Sequence, residues 1–424
     1  MAHLPVANIL HHKLRTALSA LGIGIGICML ITLSGLARGS LYEVADRWES
    51  VDAEIIVYPR IWGDNVTTMS GVGLPDRTIT SLEDERADVV AEAVPAFLWR
   101  MKLAGQDHAV VGVDADPRAW QRLTGGPPTR GRWFEQEPGP DGLTASAWLE
   151  RTLLGRGEAV APAEAEADPL DWTEPAAIGS DEMRRAIRER GGFELVLDTR
   201  LAEAGGYAVG DTVRAANHDW RIVGIVPAGG LARAYMPRRV AQFLFGSGDI
   251  RKSTLGFVKL REGVDADAAA RQLAGRGRQA VQVAQYRQML EQKFGVMFRY
   301  VDMVNVIALV IAFLFIMVTL YTMVLQRTRD IAILKACGAT NGFILRQVMA
   351  ESCLLTLAGA AVGVGLSFLA AHAIEAVRPL LTVSITWQWV AAAGIVAVAG
   401  AVLSSLYPAW RATRVDVAAA LTLD

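Results

Sequence analysis

The chain has 424 residues, 52% of them hydrophobic, and a net charge of −2, enough length for two or three domains. The apolar excess gathers in four blocks and leaves a central stretch of ordinary soluble composition with an acidic balance, which argues against a nucleic-acid-binding surface. The three cysteines, Cys28, Cys337 and Cys353, all lie in or beside apolar blocks, so the central stretch has no disulfide framework and no zinc-like spacing.

The first block opens with His3, His11, His12, Lys13 and Arg15 and then runs uncharged from Thr16 to Ala37. A cleaved secretory signal ending near Gly35-Leu36-Ala37 and a retained signal anchor both fit this pattern. The run is longer than the usual signal core and its basic flank holds the start in the cytoplasm, which favours the anchor and makes residues 1–37 a lead-in plus first span. Gly22, Gly24 and Gly26 permit close approach of another helix.

Residues 38–302 are expected to form an α+β domain outside the membrane. A strand is expected over Ala53–Tyr58, then a glycine-rich loop from Gly63 to Gly73, and a helix over Ile79–Ala93 that starts at the capping pattern Thr80-Ser81-Leu82-Glu83. Strands follow near Trp99–Leu103 and Ala109–Val113, and a helix over Pro117–Leu123. About residues 135–192 the composition turns rich in Ala, Glu and Gly, punctuated by Pro138, Pro140, Pro162, Pro169 and Pro175, with one helix over Asp181–Arg190; this reads as an insertion or mobile arm. Strands return at Glu194–Leu197, Thr212–Ala215 and Trp220–Val226, with Gly210-Asp211 as a hairpin turn, and then come a strand at Gly256–Leu260 and a helix at Asp265–Leu273. Gln279–Tyr300 is amphipathic and is expected to lead as a helix into the next span.

Uncharged runs at 303–326 and 352–374 each exceed twenty residues, enough to cross a hydrocarbon core roughly 30 Å thick. The connector between them, 327–346, holds Arg327, Arg329, Lys335 and Arg346 against Asp330, and such basic short loops face the cytoplasm. A last span centres on 389–407. Trp387 and Trp389 at one end and Tyr407 and Trp410 at the other fit interfacial belts, Pro408 is expected to break the helix, and Arg411 and Arg414 mark the inside. Four spans with both termini cytoplasmic result, in a cell-membrane protein. His372, near the outer end of the third span, reads as interfacial and not as a ligand for haem or a proton relay.

Within the connector, Ile331, Ile333 and Leu334 recur at helical spacing after a charged turn, and Gly338 offers a stop. A short amphipathic helix of this kind suits docking onto another protein, and it equally suits lying at the membrane interface.

Three stretches carry a resemblance. Gln326-Arg327-Thr328-Arg329-Asp330-Ile331-Ala332-Ile333-Leu334-Lys335-Ala336-Cys337-Gly338-Ala339-Thr340, Tyr407-Pro408-Ala409-Trp410-Arg411-Ala412 and Ala7-Asn8-Ile9-Leu10 through Thr16 resemble the signatures of the MacB and FtsX-like family of four-span ABC transporter permeases. Tyr207–Ile225 is similar to a hairpin of that family's outer domain. The resemblance implies a permease subunit with no catalytic site and no metal of its own, whose outer domain moves while a separate cytoplasmic ATPase binds and hydrolyses ATP. It implies that Arg329, Asp330, Ile331, Leu334, Lys335, Ala336, Gly338 and Ala339 contact that ATPase, and that the permease pairs with a second copy or paralogue. Gly359 and Gly363 form a G-x-x-x-G pair suited to close helix packing. A periplasmic adaptor fits a cell with two membranes. The substrate class stays open among lipoprotein, lipid, peptide, antibiotic and haem. The sequence holds no G-x-x-x-x-G-K-[ST] phosphate loop, and Arg251-Lys252-Ser253-Thr254 lacks its glycines.

Two other classes compete. An FtsX-like signalling subunit that activates an outer partner fits the same pattern. A membrane-anchored enzyme would have to use Asp107, His108, Asp114 and Asp116, or His218 with Asp219, but neither group has metal-ligand spacing or a nucleophile motif, and Asp114-Ala115-Asp116-Pro117 reads as a helix start.

Overall fold

The computed structural model describes residues 13–62, 70–155, 181–275, 277–326 and 328–414. The expected lead-in at Ala7–Leu10, the first part of the glycine-rich loop, Pro162, Pro169, Pro175 and Arg327 lie outside the described residues. In order come α1 (Lys13–Glu49), β1 (Ile55–Pro59), β2 (Leu74–Pro75), α2 (Asp76–Thr80), α3 (Leu82–Glu85), β3 (Val90–Leu103), β4 (Gln106–Val113), α4 (Pro117–Thr124), β5 (Arg130–Gly131) and α5 (Ala145–Leu149, extended by a π turn over Glu150–Leu154). Then follow α6 (Asp181–Glu189), β6 (Glu194–Asp198), α7 (Thr199–Gly205), β7 (Thr212–Ala215), β8 (His218–Val226), β9 (Ala234–Pro237), α8 (Arg238–Phe245), β10 (Lys252–Ser253), β11 (Leu255–Leu260), α9 (Ala266–Leu273), β12 (Arg278–Gln282), α10 (Tyr286–Gln326), α11 (Thr328–Ala336), α12 (Asn341–Val377) and α13 (Trp387–Thr413). The chain divides into two compact units, Met1–Tyr42 with Phe294–Asp424, and Glu43–Lys293.

The second unit is α+β. Its main sheet runs β12-β1-β11-β3-β4-β9-β6-β8-β5, with β7 on β8, and is antiparallel except for β4 on β9 and β6 on β8. The long strand β3 ties the sheet together, because its first half pairs with β11 and its second half with β4. Ile55, Val57, Ile79, Val90, Val258 and Leu273 close one core with almost no exposed surface. A second is built on aromatic rings: Trp120 stacks on Trp133 at 4.8 Å, and the buried Tyr235 hydroxyl donates to the Leu123 carbonyl at 3.0 Å. Asp76 is buried and accepts hydrogen bonds from Arg238, Arg239, Ser253 (2.5 Å) and Gln242 (3.3 Å), while Arg238 also pairs with Asp114 at 2.8 Å. Burial alone would raise the Asp76 pKa, but Arg238, Ser253 and Arg239 outweigh it and hold the carboxyl below the ordinary range.

Three local expectations change here. Ile79–Ala93 is not one helix: two short turns, α2 and α3, lead into β3 at Val90. The apparent capping box is spent otherwise, since the Thr80 hydroxyl donates to the Asp76 carbonyl at 3.3 Å and the Glu83 carboxylate accepts from the Ala93 amide at 2.7 Å, while β-branched Val90 and Val94 pair across to β11. The β7–β8 hairpin turns at Ala216-Asn217, with φ of 48° and 61°, and not at Gly210-Asp211, which forms a separate turn before β7. Gln279–Gln282 is not the start of the helix into the second span but part of β12, antiparallel to β1, and the helix begins at Tyr286.

Among the described residues, four helices are long and apolar enough to cross a membrane: Ser19–Glu49, Val283–Gln326, Asn341–Val377 and Trp387–Thr413, of which residues 43–49 and 283–293 count with the α+β unit and the rest with the other. Ile23, Ile27, Ile31, Ile316, Leu355 and Ala397 form a buried cluster between them. The Gly359/Gly363 pair is used inside the chain, against α1. A Cβ on Gly363 would lie 2.7 Å from the Gly24 carbonyl oxygen, and one on Gly359 2.8 Å from Ile23 Cβ. Asn305, a buried polar side chain in the second span, donates to Ser34 Oγ at 2.8 Å. Arg38 pairs with Asp302 at 3.4 Å and lies over the Trp389 and Phe298 rings, 4.7 and 5.3 Å from their centroids. Contrary to expectation, α13 runs through Pro408. Breaking a helix in a span strands several carbonyls away from water, whereas a proline buried inside a continuing helix strands fewer.

Candidate functional site

The connector is a helix, a turn and a cap. α11 follows the second span at Thr328, whose hydroxyl donates to the Leu325 carbonyl at 2.6 Å. It stops at Gly338, where φ is +89°, a value a side chain would strain. Thr340 then starts α12, its Oγ1 accepting from the Phe343 amide at 3.3 Å.

The helix has two unlike sides. Ile331 is 9% exposed and Ala332 is fully buried, and Ile331 packs with Val324, Ile344 and Ala412, the ends of the second, third and fourth spans. Lys335 Nζ donates to the Thr413 carbonyl at 2.9 Å. On the other side Arg329, Ala336, Cys337 and Gly338 are exposed, as are Ile333 (47%) and Leu334 (39%), with Ala339 half-buried. The eight residues proposed from sequence are therefore one local group but not one surface. Arg329, Leu334, Ala336 and Gly338 face outward, Ile331 and Lys335 turn inward, and the Asp330 side chain lies outside the described residues. Exposed Ile333, left out of that set, belongs to the outward side. Helical spacing announced an amphipathic helix but could not say which flank the spans would cover.

Several of the residues weighed for chemistry in the α+β unit are held in structural contacts. Asp116 caps α4 by accepting from the Arg118 amide at 3.0 Å, Asp114 pairs with Arg238, and His218 stacks on Phe193 at 4.9 Å. His108 is buried, and burial, reinforced by Arg233, lowers its pKa. Among the described residues, no group of three or more His, Cys, Asp or Glu is arranged to hold a metal ion. Sequence reading missed Glu135, buried at a left-handed φ of 57°, with its carboxylate accepting from the Ser146 amide at 2.7 Å. Burial first, then Asp114 and Glu194, push its pKa up to about 7.

Span-length helices, a connector helix after the second of them and a large α+β unit define a multi-pass membrane protein of permease architecture. Residues 16–160 and 141–276 match the MacB-like periplasmic core domain, and 303–417 match the FtsX-like permease C-terminal domain. The chain belongs to the MacB- and FtsX-like family of ABC transporter permeases. Among its relatives, an uncharacterized ABC transporter permease, YknZ of Bacillus subtilis, is 28% identical over 200 residues, 46% of this chain and 50% of that protein. The macrolide export ATP-binding/permease protein MacB of Escherichia coli is 22% identical over 431 residues, 96% of this chain and 58% of that protein. The chain thus spans about half the length of these relatives. The periplasmic region of MacB from Actinobacillus actinomycetemcomitans aligns with 57% of this chain and 95% of its own at 12% identity and a TM-score of 0.34.

Proposed function

We propose that this permease works with a separate cytoplasmic ABC ATPase, and that the outward side of α11, with Arg329, Ile333, Leu334, Ala336 and Gly338, sits against that subunit. The supporting observation is the exposure of Ile333 and Leu334 on a nine-residue helix whose opposite side is packed against the ends of three spans. Apolar side chains exposed beside arginine suit a protein groove with acidic edges. In this reading ATP hydrolysis displaces α11, the spans carry the displacement, and the α+β unit moves on the far side to export or extract a substrate. Both termini and the connector are cytoplasmic, as the basic residues of the connector suggest. Affinity capture of the full-length protein from mild detergent tests the proposal. An ATP-hydrolysing subunit should co-purify with the parent protein and with Ile333→Leu but not with Leu334→Asp. Equal recovery with Leu334→Asp would remove α11 from the contact.

A further inference from the structure

The last turn of α13 satisfies its carbonyls in two ways. The Trp410 carbonyl accepts from the Thr413 hydroxyl at 2.7 Å and the Arg411 carbonyl from the Arg414 amide at 3.1 Å, both within the turn. The Thr413 carbonyl instead accepts from Lys335, on another helix. A helix C-terminus carries partial negative charge and unsatisfied carbonyls, so a lysine there is held by a charged hydrogen bond and by the helix dipole together. Arg414 adds order to the same turn, its guanidinium lying 4.0 Å from the Trp410 ring centroid.

From this geometry we infer that Lys335 is a positioning residue that pins the connector helix to the end of the fourth span, so that α11 and α13 shift as one body. Ile331 supplies the apolar half of the joint, since it packs on Ala412, the neighbour of Thr413. Lys335 then acts in passing motion on, and not in gripping the ATPase. The inference rests on the docking reading for its role in transport, but the pin is a property of the permease alone.

Hydrogen–deuterium exchange on the full chain in lipid nanodiscs tests it, with Lys335→Met and Lys335→Arg. Methionine keeps an apolar stem and loses the donor, whereas arginine retains a donor and the charge. Lys335→Met should speed exchange about tenfold at 328–338 and also at 410–414, as expected for loss of one charged hydrogen bond, with 355–371 unchanged. Lys335→Arg should stay within about twofold of the parent. Unchanged exchange at 410–414 in Lys335→Met, or equal effects of Met and Arg, would overturn the pin. With the co-purifying ATPase present, vanadate-trapped nucleotide should alter exchange at 410–414 in the parent and in Lys335→Arg. In Lys335→Met the subunit should remain bound while that response disappears; a response that persists would overturn the transmission role. Failure of any ATPase to co-purify would defeat the docking reading and leave the nanodisc result standing by itself.

Discussion

Gly363→Ala should loosen the membrane unit, and Gly365→Ala, two residues along the same helix, should not. The added methyl at 363 would meet the Gly24 carbonyl oxygen at 2.7 Å and Ile27 Cβ at 2.9 Å, whereas at 365 nothing lies within 4 Å. Neither obstructing atom sits at the end of a flexible side chain, so no rotamer change relieves the clash and the first and third spans must part by a few tenths of an ångström. Overpacking of that kind costs about 1–3 kcal/mol. Replacing glycine in a helix returns up to about 1 kcal/mol, which is the whole effect expected at 365. The two variants should therefore differ by roughly 1–3 kcal/mol, read as a shift in the midpoint of SDS-induced unfolding followed by circular dichroism. Equal midpoints, or a larger loss at 365, would refute the close packing of α1 on α12.

Glu135 gives the α+β unit a pH dependence of definite sign. Its pKa is raised from 4.5 to about 7 in the folded chain, so stability contributed by the protonated form is full below 4.5, falls as pH rises to about 7 and is level beyond. A shift of that size corresponds to roughly 3 kcal/mol, and Glu135→Gln should flatten this part of the urea-unfolding profile between pH 4.5 and 8; an unchanged slope would show that Glu135 is not its source. Asp76→Ala should destabilise the unit by about 3–5 kcal/mol, since Arg238 stays buried with one carboxylate partner fewer, and thermal unfolding of the full-length protein reads this directly. Ile331→Asp and Leu334→Asp should part company. The first puts a charge among Val324, Ile344 and Ala412 and lowers the melting temperature, and the second, at an exposed position, leaves the stability within about 0.5 kcal/mol of the parent.

Much of the architecture was legible because membranes impose coarse rules. Four uncharged runs marked four span-length helices, and the connector's charges with Gly338 marked a short helix and its stop. What stayed hidden depended on neighbours. Ile331 and Leu334 look alike in sequence, and their separation follows from where the ends of three spans meet α11. Pro408 reads as a breaker in water and is carried inside α13 in a span. Thr80 and Glu83 have the spacing of a capping box, but Thr80 donates back to the Asp76 carbonyl and Glu83 accepts from Ala93 in the strand that starts at Val90. Lys335 lies within the signature that implies docking, and its bond to Thr413, 78 positions away, leaves no local trace in the sequence.

Cross-linking in native membranes shows what the outward side of α11 touches. Cys337 is an exposed free thiol at the tip of α11, and a photoactivatable maleimide placed there reaches whatever α11 touches. An adduct with an ATP-hydrolysing subunit is expected, lost in Leu334→Asp and kept in Lys335→Met. Adducts with lipid alone, in membranes of cells that hold the co-purifying ATPase, would contradict it.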